Sequence, residues 1–294
     1  MNKLSFSIML TGIILGNVMT SFSQQTYLWK VTSKNNDKVS YLFGTYHKTS
    51  ESFFHKYPAL EEALDHTETV VTEVEIKKKD LLAPIHLRTP TNDLQNTVGA
   101  KDYALITEIL HKSDFDLRKL YPDEIIGLLQ NKFDELNCDL FFPGDKYFLD
   151  EYVQVLSESK NKETVYLETV DQQKDYISQT NQAISWKSSK TYISLILKQY
   201  RKYQKSGKNT CPMVTETYLD FKYKYQLDKD CSKLSNNKKL MLQQRNQQWM
   251  QVLPGLIESK NTFIAAGLGH LFYNCGIIQQ LSALGYNVEP VAMQ

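Results

Sequence analysis

The sequence predicts a mixed α/β (α+β) fold, with two sheet-containing halves flanked by helices. Three observations lead there. Short apolar runs of strand length alternate with longer runs of helical period. A strand–glycine–histidine–helix–strand pattern occurs at both ends, first at Gly44-Thr45-Tyr46-His47 and again at Gly267-Leu268-Gly269-His270. Between those ends the chain reads as mostly helical. The pattern suggests two related halves whose strand ends face one cleft.

The elements follow in order. Residues 1–23 read as a secretory signal: Lys3, an apolar stretch from Phe6 to Met19, then small residues at Ser21 and Ser23. The apolar run is short and interrupted by Thr11, Gly12, Gly16 and Asn17, so no stable membrane span is expected once it is removed. One domain, residues 24–294, remains. Strands are expected over 26–32 and 39–43, joined by the polar turn 33–37 as a hairpin. Ser50 then caps a helix with apolar residues at Phe54, Tyr57, Leu60 and Leu64, and a strand follows over 69–76. Helices are expected over 103–111, 122–137, 147–159, 171–180, 184–203, 214–227 and 234–258, with a short strand at 164–167. A strand at 262–266, a helix at 273–284 stopped by Gly285, and a strand at 286–291 close the chain.

Charge excludes some partners. The chain has 34 basic and 33 acidic side chains, and the signal removes Lys3 alone, leaving a neutral mature protein. No basic excess steers it to nucleic acid or anionic lipid. Four cysteines in an exported chain permit two disulfides. Cys211 and Cys231, which bracket a polar, tyrosine-rich segment, are the expected pair. No Cys-x-x-Cys, His-Glu-x-x-His, Gly-x-Ser-x-Gly or phosphate-binding glycine loop is present, so the familiar zinc and hydrolase templates are excluded.

Of six histidines, His55, His66, His86 and His111 read as surface or helix-end residues. His47 and His270 stand apart because each follows a strand and a glycine. Brought together, two such imidazoles can hold a metal or share acid–base work. A carboxylate beside them is needed, and the strand 69–76 offers Glu73 and Glu75 on one face. Arg245 and Asn246 lie together on a helix, where a guanidinium can clamp a carboxylate or an oxyanion and an amide can hold a carbonyl or a water.

At these residues the chain resembles the TraB/GumN family, in the superfamily of the Tiki metalloproteases. The resemblance rests on Tyr41-Leu42-Phe43-Gly44-Thr45-Tyr46-His47, on Val70-Val71-Thr72-Glu73, on Leu120-Tyr121-Pro122 and on Gly144-Asp145-Lys146-Tyr147-Phe148-Leu149. It continues through Tyr166-Leu167-Glu168-Thr169, Arg245-Asn246 with Trp249, Gly267-Leu268-Gly269-His270 and Gly285-Tyr286-Asn287-Val288. It implies two sheet-containing halves related to the erythromycin-esterase/ChaN-like fold. It selects Glu73 over Glu75 and implies a metal centre of His47, His270 and Glu73, taking manganese or cobalt, with zinc or iron as further options. Glu73, Glu168, Arg245 and Asn246 become the catalytic set, with Asp145 as an alternative base or further ligand. The expected activity is an exported (periplasmic or secreted) metal-dependent hydrolase acting on a peptide or protein. Two alternatives are a metal-free His/Glu hydrolase and a non-catalytic protein that sequesters a peptide or signal.

Overall fold

The computed structural model describes residues 26–77, 83–111, 115–138, 140–180, 184–207 and 211–293. The expected signal at 1–23 lies outside them. Six strands form one sheet: β1 (Leu28–Thr32), β2 (Val39–Thr45), β3 (Thr69–Thr72), β4 (Glu163–Tyr166), β5 (Thr262–Gly267) and β6 (Asn287–Val291). Their order is β4-β3-β5-β2-β1-β6. The run from β4 through β2 is parallel, and β1 pairs antiparallel with both β2 and β6. The mixed α/β class stands, but the strands expected in two sheet-containing halves share this single sheet.

That sharing has a direct consequence. β2 and β5 are adjacent and parallel, with Gly44 opposite Ala266 and Thr45 opposite Gly267. The two histidine motifs therefore leave the same sheet edge side by side. Val70, Val71, Phe263 and Ile264 are all buried, so both faces of the central strands are covered, as parallel strands require. β3 is shorter than expected and ends at Thr72. Glu73 thus sits just past a strand end, and the alternation that placed it with Glu75 on one sheet face does not reach it.

The glycines act differently from the sharp turns expected of them. Gly44 lies within β2, and a Cβ there would meet the Leu268 side chain at 2.6 Å. At Gly267 a Cβ would lie 3.1 Å from a Glu73 carboxylate oxygen. Both glycines permit close approach of neighbouring groups.

The helices mostly follow the sequence. α1 (Glu51–Lys56) and α2 (Pro58–Asp65) divide the helix expected after Ser50, since Pro58 cannot continue a helix begun before it. Ser50 gives no side-chain cap and donates instead to Asp145. Next come α3 (Asp93–Val98), α4 (Ala100–Ile109), α5 (Pro122–Asn137), α6 (Leu149–Ser159), α7 (Val170–Thr180) and α8 (Trp186–Ser206). α9 (Met213–Leu219) stops early because Phe221 takes a left-handed φ of 56° and stacks its ring on Tyr27. Tertiary packing outweighs helical period there. The helix expected over 234–258 is broken: a π-helical stretch, Lys239–Gln244, leads into α10 (Arg245–Trp249), and α11 (Leu253–Ser259) follows. α12 (Ile277–Ala283) precedes β6.

Among the described residues two large apolar cores form, with a small third cluster of Cys231, Leu234 and Tyr273. One surrounds the sheet and includes Phe43, Phe54, Trp249 and Phe263. The other lies among helices, with Leu94, Ile106, Ile125, Leu129, Ile193 and Leu197 from α3, α4, α5 and α8. The disulfides correct the expected pairing: Cys138 bonds Cys211 and Cys231 bonds Cys275. The first ties the end of α5 to the start of α9. The second anchors the loop after His270. Among the described residues no helix is long and apolar enough to cross a membrane.

Candidate active site

The C-terminal ends of β2, β3 and β5 carry the chemistry-bearing side chains, as the crevice beyond parallel strand ends does in open α/β sheets generally. Arg245 is at the centre. Its guanidinium is buried and donates to three side chains: Nε and Nη2 to the two oxygens of Glu168 (3.0 and 2.6 Å), Nη2 to Glu73 Oε2 (2.6 Å) and Nη1 to His270 Nε2 (3.0 Å). The bidentate pairing with Glu168 fixes the planar group in direction as well as position. Its Cζ also lies 4.8 Å from the Trp249 ring centre, within cation–π range.

His270 is held from every side. A guanidinium can only donate, so Nε2 accepts from Arg245 and Nδ1 carries the proton. Nδ1 donates to Asn246 Oδ1 (2.7 Å), while the Asn246 amide donates to the carbonyls of His270 and Cys275, both at 2.9 Å. Trp249 packs against the imidazole, ring centres 4.2 Å apart. Burial pushes His270 down to about 4; the Glu73 charge opposes this and Arg245 reinforces it. It is a neutral imidazole at ordinary pH.

Glu73 accepts from the Gly267 amide at Oε1 (2.7 Å), and that oxygen lies 3.7 Å from His270 Nε2. Burial alone would raise its carboxyl, but His270, Arg245 and the Gly267 N–H hold it below the usual carboxylate value. Its strand extension is secured by the Glu168 amide donating to the Glu73 carbonyl (2.9 Å). Glu168 itself is consumed by Arg245 and by Gln173 (3.0 Å), so it positions the guanidinium and has little capacity left to act as a base.

His47 contrasts with His270. It is solvent-exposed, and its ring makes no hydrogen bond among the described residues. Although its edge reaches solvent, packing of neighbouring side chains around it desolvates the ring and lowers its basicity; the Lys48 charge adds to this, and Glu73 and Asp134 partly offset it. It borders the same cavity as Glu73, Arg245, Gly267 and His270. The structure therefore brings His47, Glu73, His270, Arg245, Asn246 and Glu168 to one place. His55, His66, His86 and His111 are exposed elsewhere. Asp145 is not at the site: it accepts from Ser50, Ser52 and the Phe142 amide and braces the loop before α6.

Sequence reading missed Asp150. It borders the cavity with His47, Glu73 and Arg245, and burial together with the Glu73 charge pushes its carboxyl up to about 6. Its position in the first turn of α6 gave it the appearance of an ordinary helix-start acid. Gln154, one turn on, donates to the Val74 carbonyl and accepts from the Ile76 amide (2.9 and 3.0 Å), pinning the segment after Glu73. Among the described residues no group of three or more His, Cys, Asp or Glu side chains is gathered closely enough to hold an ion as it stands.

A mixed α/β sheet with a buried carboxylate–arginine–histidine cluster at its parallel strand ends defines the class. The chain belongs to the TraB/PrgY/gumN family, whose model matches residues 27–290. Comparison with curated proteins and with solved structures gave no match.

Proposed function

We propose that this protein is an exported metal-dependent hydrolase acting on peptide bonds, with His47, Glu73 and His270 as the metal-holding set. The observation that carries the reading is the convergence of these three side chains from three neighbouring strand ends on one cavity mouth. Export agrees with the two disulfides.

The donor set suits a divalent first-row ion, for which imidazole and carboxylate are the usual ligands. Glu73 Oε1 and His270 Nε2 are 3.7 Å apart, close enough to share an ion at about 2.1 Å from each. His270 already has the tautomer that leaves Nε2 free of a proton, fixed by Asn246 as ligating histidines commonly are. One local change is needed: Arg245 gives up its bond to Nε2, and it keeps both carboxylates when it does. An ion bound there would lower the pKa of a water and polarise the substrate carbonyl. Asp150, with its raised pKa, takes the proton from the attacking water and returns it to the leaving amine. Arg245 keeps Glu73 ionised and offers positive charge to oxygen as it becomes anionic.

A second reading has its own support. Arg245 already donates to Glu73 and His270, so a resident guanidinium supplies the cation without a metal. Peptide hydrolysis measured with manganese, with cobalt and with chelator separates the two. The metal reading expects activity that chelator abolishes and that His47→Ala and His270→Ala both lose. Chelator-resistant hydrolysis that still needs His47 would move the assignment to the metal-free mechanism. Peptide binding without product in any condition would leave sequestration alone.

A further inference from the structure

Two cavities meet at the site. One, about 540 Å³, extends towards β4 and is walled by Val74, Ile76, Val170, Ile177 and Met241. The other, about 380 Å³, extends towards β2 and is walled by Tyr46, Tyr223, Leu242, Leu268 and Phe272. They share His47, Glu73, Met241, Arg245 and Gly267. The reactive groups thus sit at the junction of two lobes laid along the sheet edge, since β4 and β2 lie on opposite sides of the β3–β5 pair.

Each lobe has a distinct chemistry. The β4 side is mainly aliphatic, with Glu75, Asp150, Gln154 and Gln173 as the polar part of its lining, and Gln154 holds its backbone. The β2 side is aromatic: Tyr223 and Phe272 have ring centres 5.6 Å apart, and the Tyr223 hydroxyl is tied to the Val214 carbonyl. A site closed on one side suits a small group or a chain terminus. A junction open in two directions suits a chain that continues past the reacting bond both ways. Apolar walls gain by covering apolar side chains and lose by covering charged ones.

Resting on the hydrolase reading, we propose that the substrate is an extended polypeptide cut internally, with an aliphatic side chain on one side of the scissile bond and an aromatic one on the other. The β4-side lobe takes the aliphatic group and the β2-side lobe the aromatic one. Met241, shared by both, is the divider between them. It lies on the π-helical stretch that leads into Arg245, so the same irregular turn sets the divider and the guanidinium.

The test uses fluorescent hexapeptides blocked at both ends, with the two central residues varied among Leu, Phe, Asp and Lys. Binding is read by anisotropy in chelator, and cleavage by mass spectrometry with manganese. The proposal expects an aliphatic–aromatic centre to bind at least ten-fold tighter than an Asp–Asp centre. Ile177→Asp should weaken binding about ten-fold through the aliphatic position and Tyr223→Ser through the aromatic one, each variant checked for an unchanged melting temperature. Equal affinity for all centres, or binding that requires a free terminus, would overturn it. Selective binding without cleavage would remove the hydrolase reading and leave the two lobes. Cleavage indifferent to the flanking residues would keep hydrolysis and remove the proposal.

Discussion

His47 and His270 occupy the same place in two similar motifs, yet their surroundings are opposite. His270 is 4% exposed and bonded at both ring nitrogens. The His47 ring is exposed and unbonded among the described residues. The strand registers are nearly matched, since Thr45 pairs with Gly267. The difference comes from what lies above the strand ends: α10 brings Arg245, Asn246 and Trp249 onto His270, whereas among the described residues no hydrogen bond holds the His47 ring. A shared motif fixes where a side chain starts, and the packed helix decides whether it is locked. One histidine is a fixed wall of the site and the other is free to answer a ligand.

That contrast can be broken at its strongest point first. Arg245→Ala leaves Glu73 and Glu168 without their counter-charge, Glu168 deeply buried. Losing one partner of a buried ion pair costs about 3–5 kcal/mol, so urea unfolding should show a loss of that size. A loss below about 1 kcal/mol would mean the cluster is far more hydrated than its burial indicates.

A pH series sharpens the comparison. His270 has a folded pKa of about 4, below its ordinary 6.5, so its contribution is complete above pH 6.5 and is lost as pH falls towards 4. That is worth on the order of 3 kcal/mol. Asp150 acts in the opposite sense: its folded pKa is raised to about 6, so its contribution is present at low pH and lost as pH rises through 6. The His270 and Asp150 slopes therefore oppose each other between pH 4 and 6.5. Asp150→Asn should expose the His270 slope, and an unchanged profile in that variant would contradict the assignment.

The smallest stability effect belongs to His47→Ala. An exposed, unbonded side chain contributes within about 0.5 kcal/mol. Unfolding curves that overlay wild type, with hydrolysis gone, are the expected pair of results.

Much of this was legible beforehand because strand ends and their glycines leave a local signature. The Gly44–His47 and Gly267–His270 phrases marked the site, and Arg245-Asn246 was readable as a pair on one helix. What stayed hidden depends on long-range packing. No local signal says that β2 and β5 are neighbours, so the two sheet-containing halves expected from the pattern do not reveal that their strands share one sheet. Cys138 and Cys275 find Cys211 and Cys231 through the fold, so spacing alone chose the wrong pair. Asp150 looks like any first-turn acid until Glu73, 77 residues earlier, is placed beside it.

The most direct test of the central claim is metal binding by calorimetry, on wild type beside His47→Ala and His270→Ala. Wild type should bind about one equivalent of manganese or cobalt, and both variants should lose it while His47→Ala remains fully stable. Undiminished binding in both variants, or no binding by a folded wild type to any first-row ion tested, would contradict it.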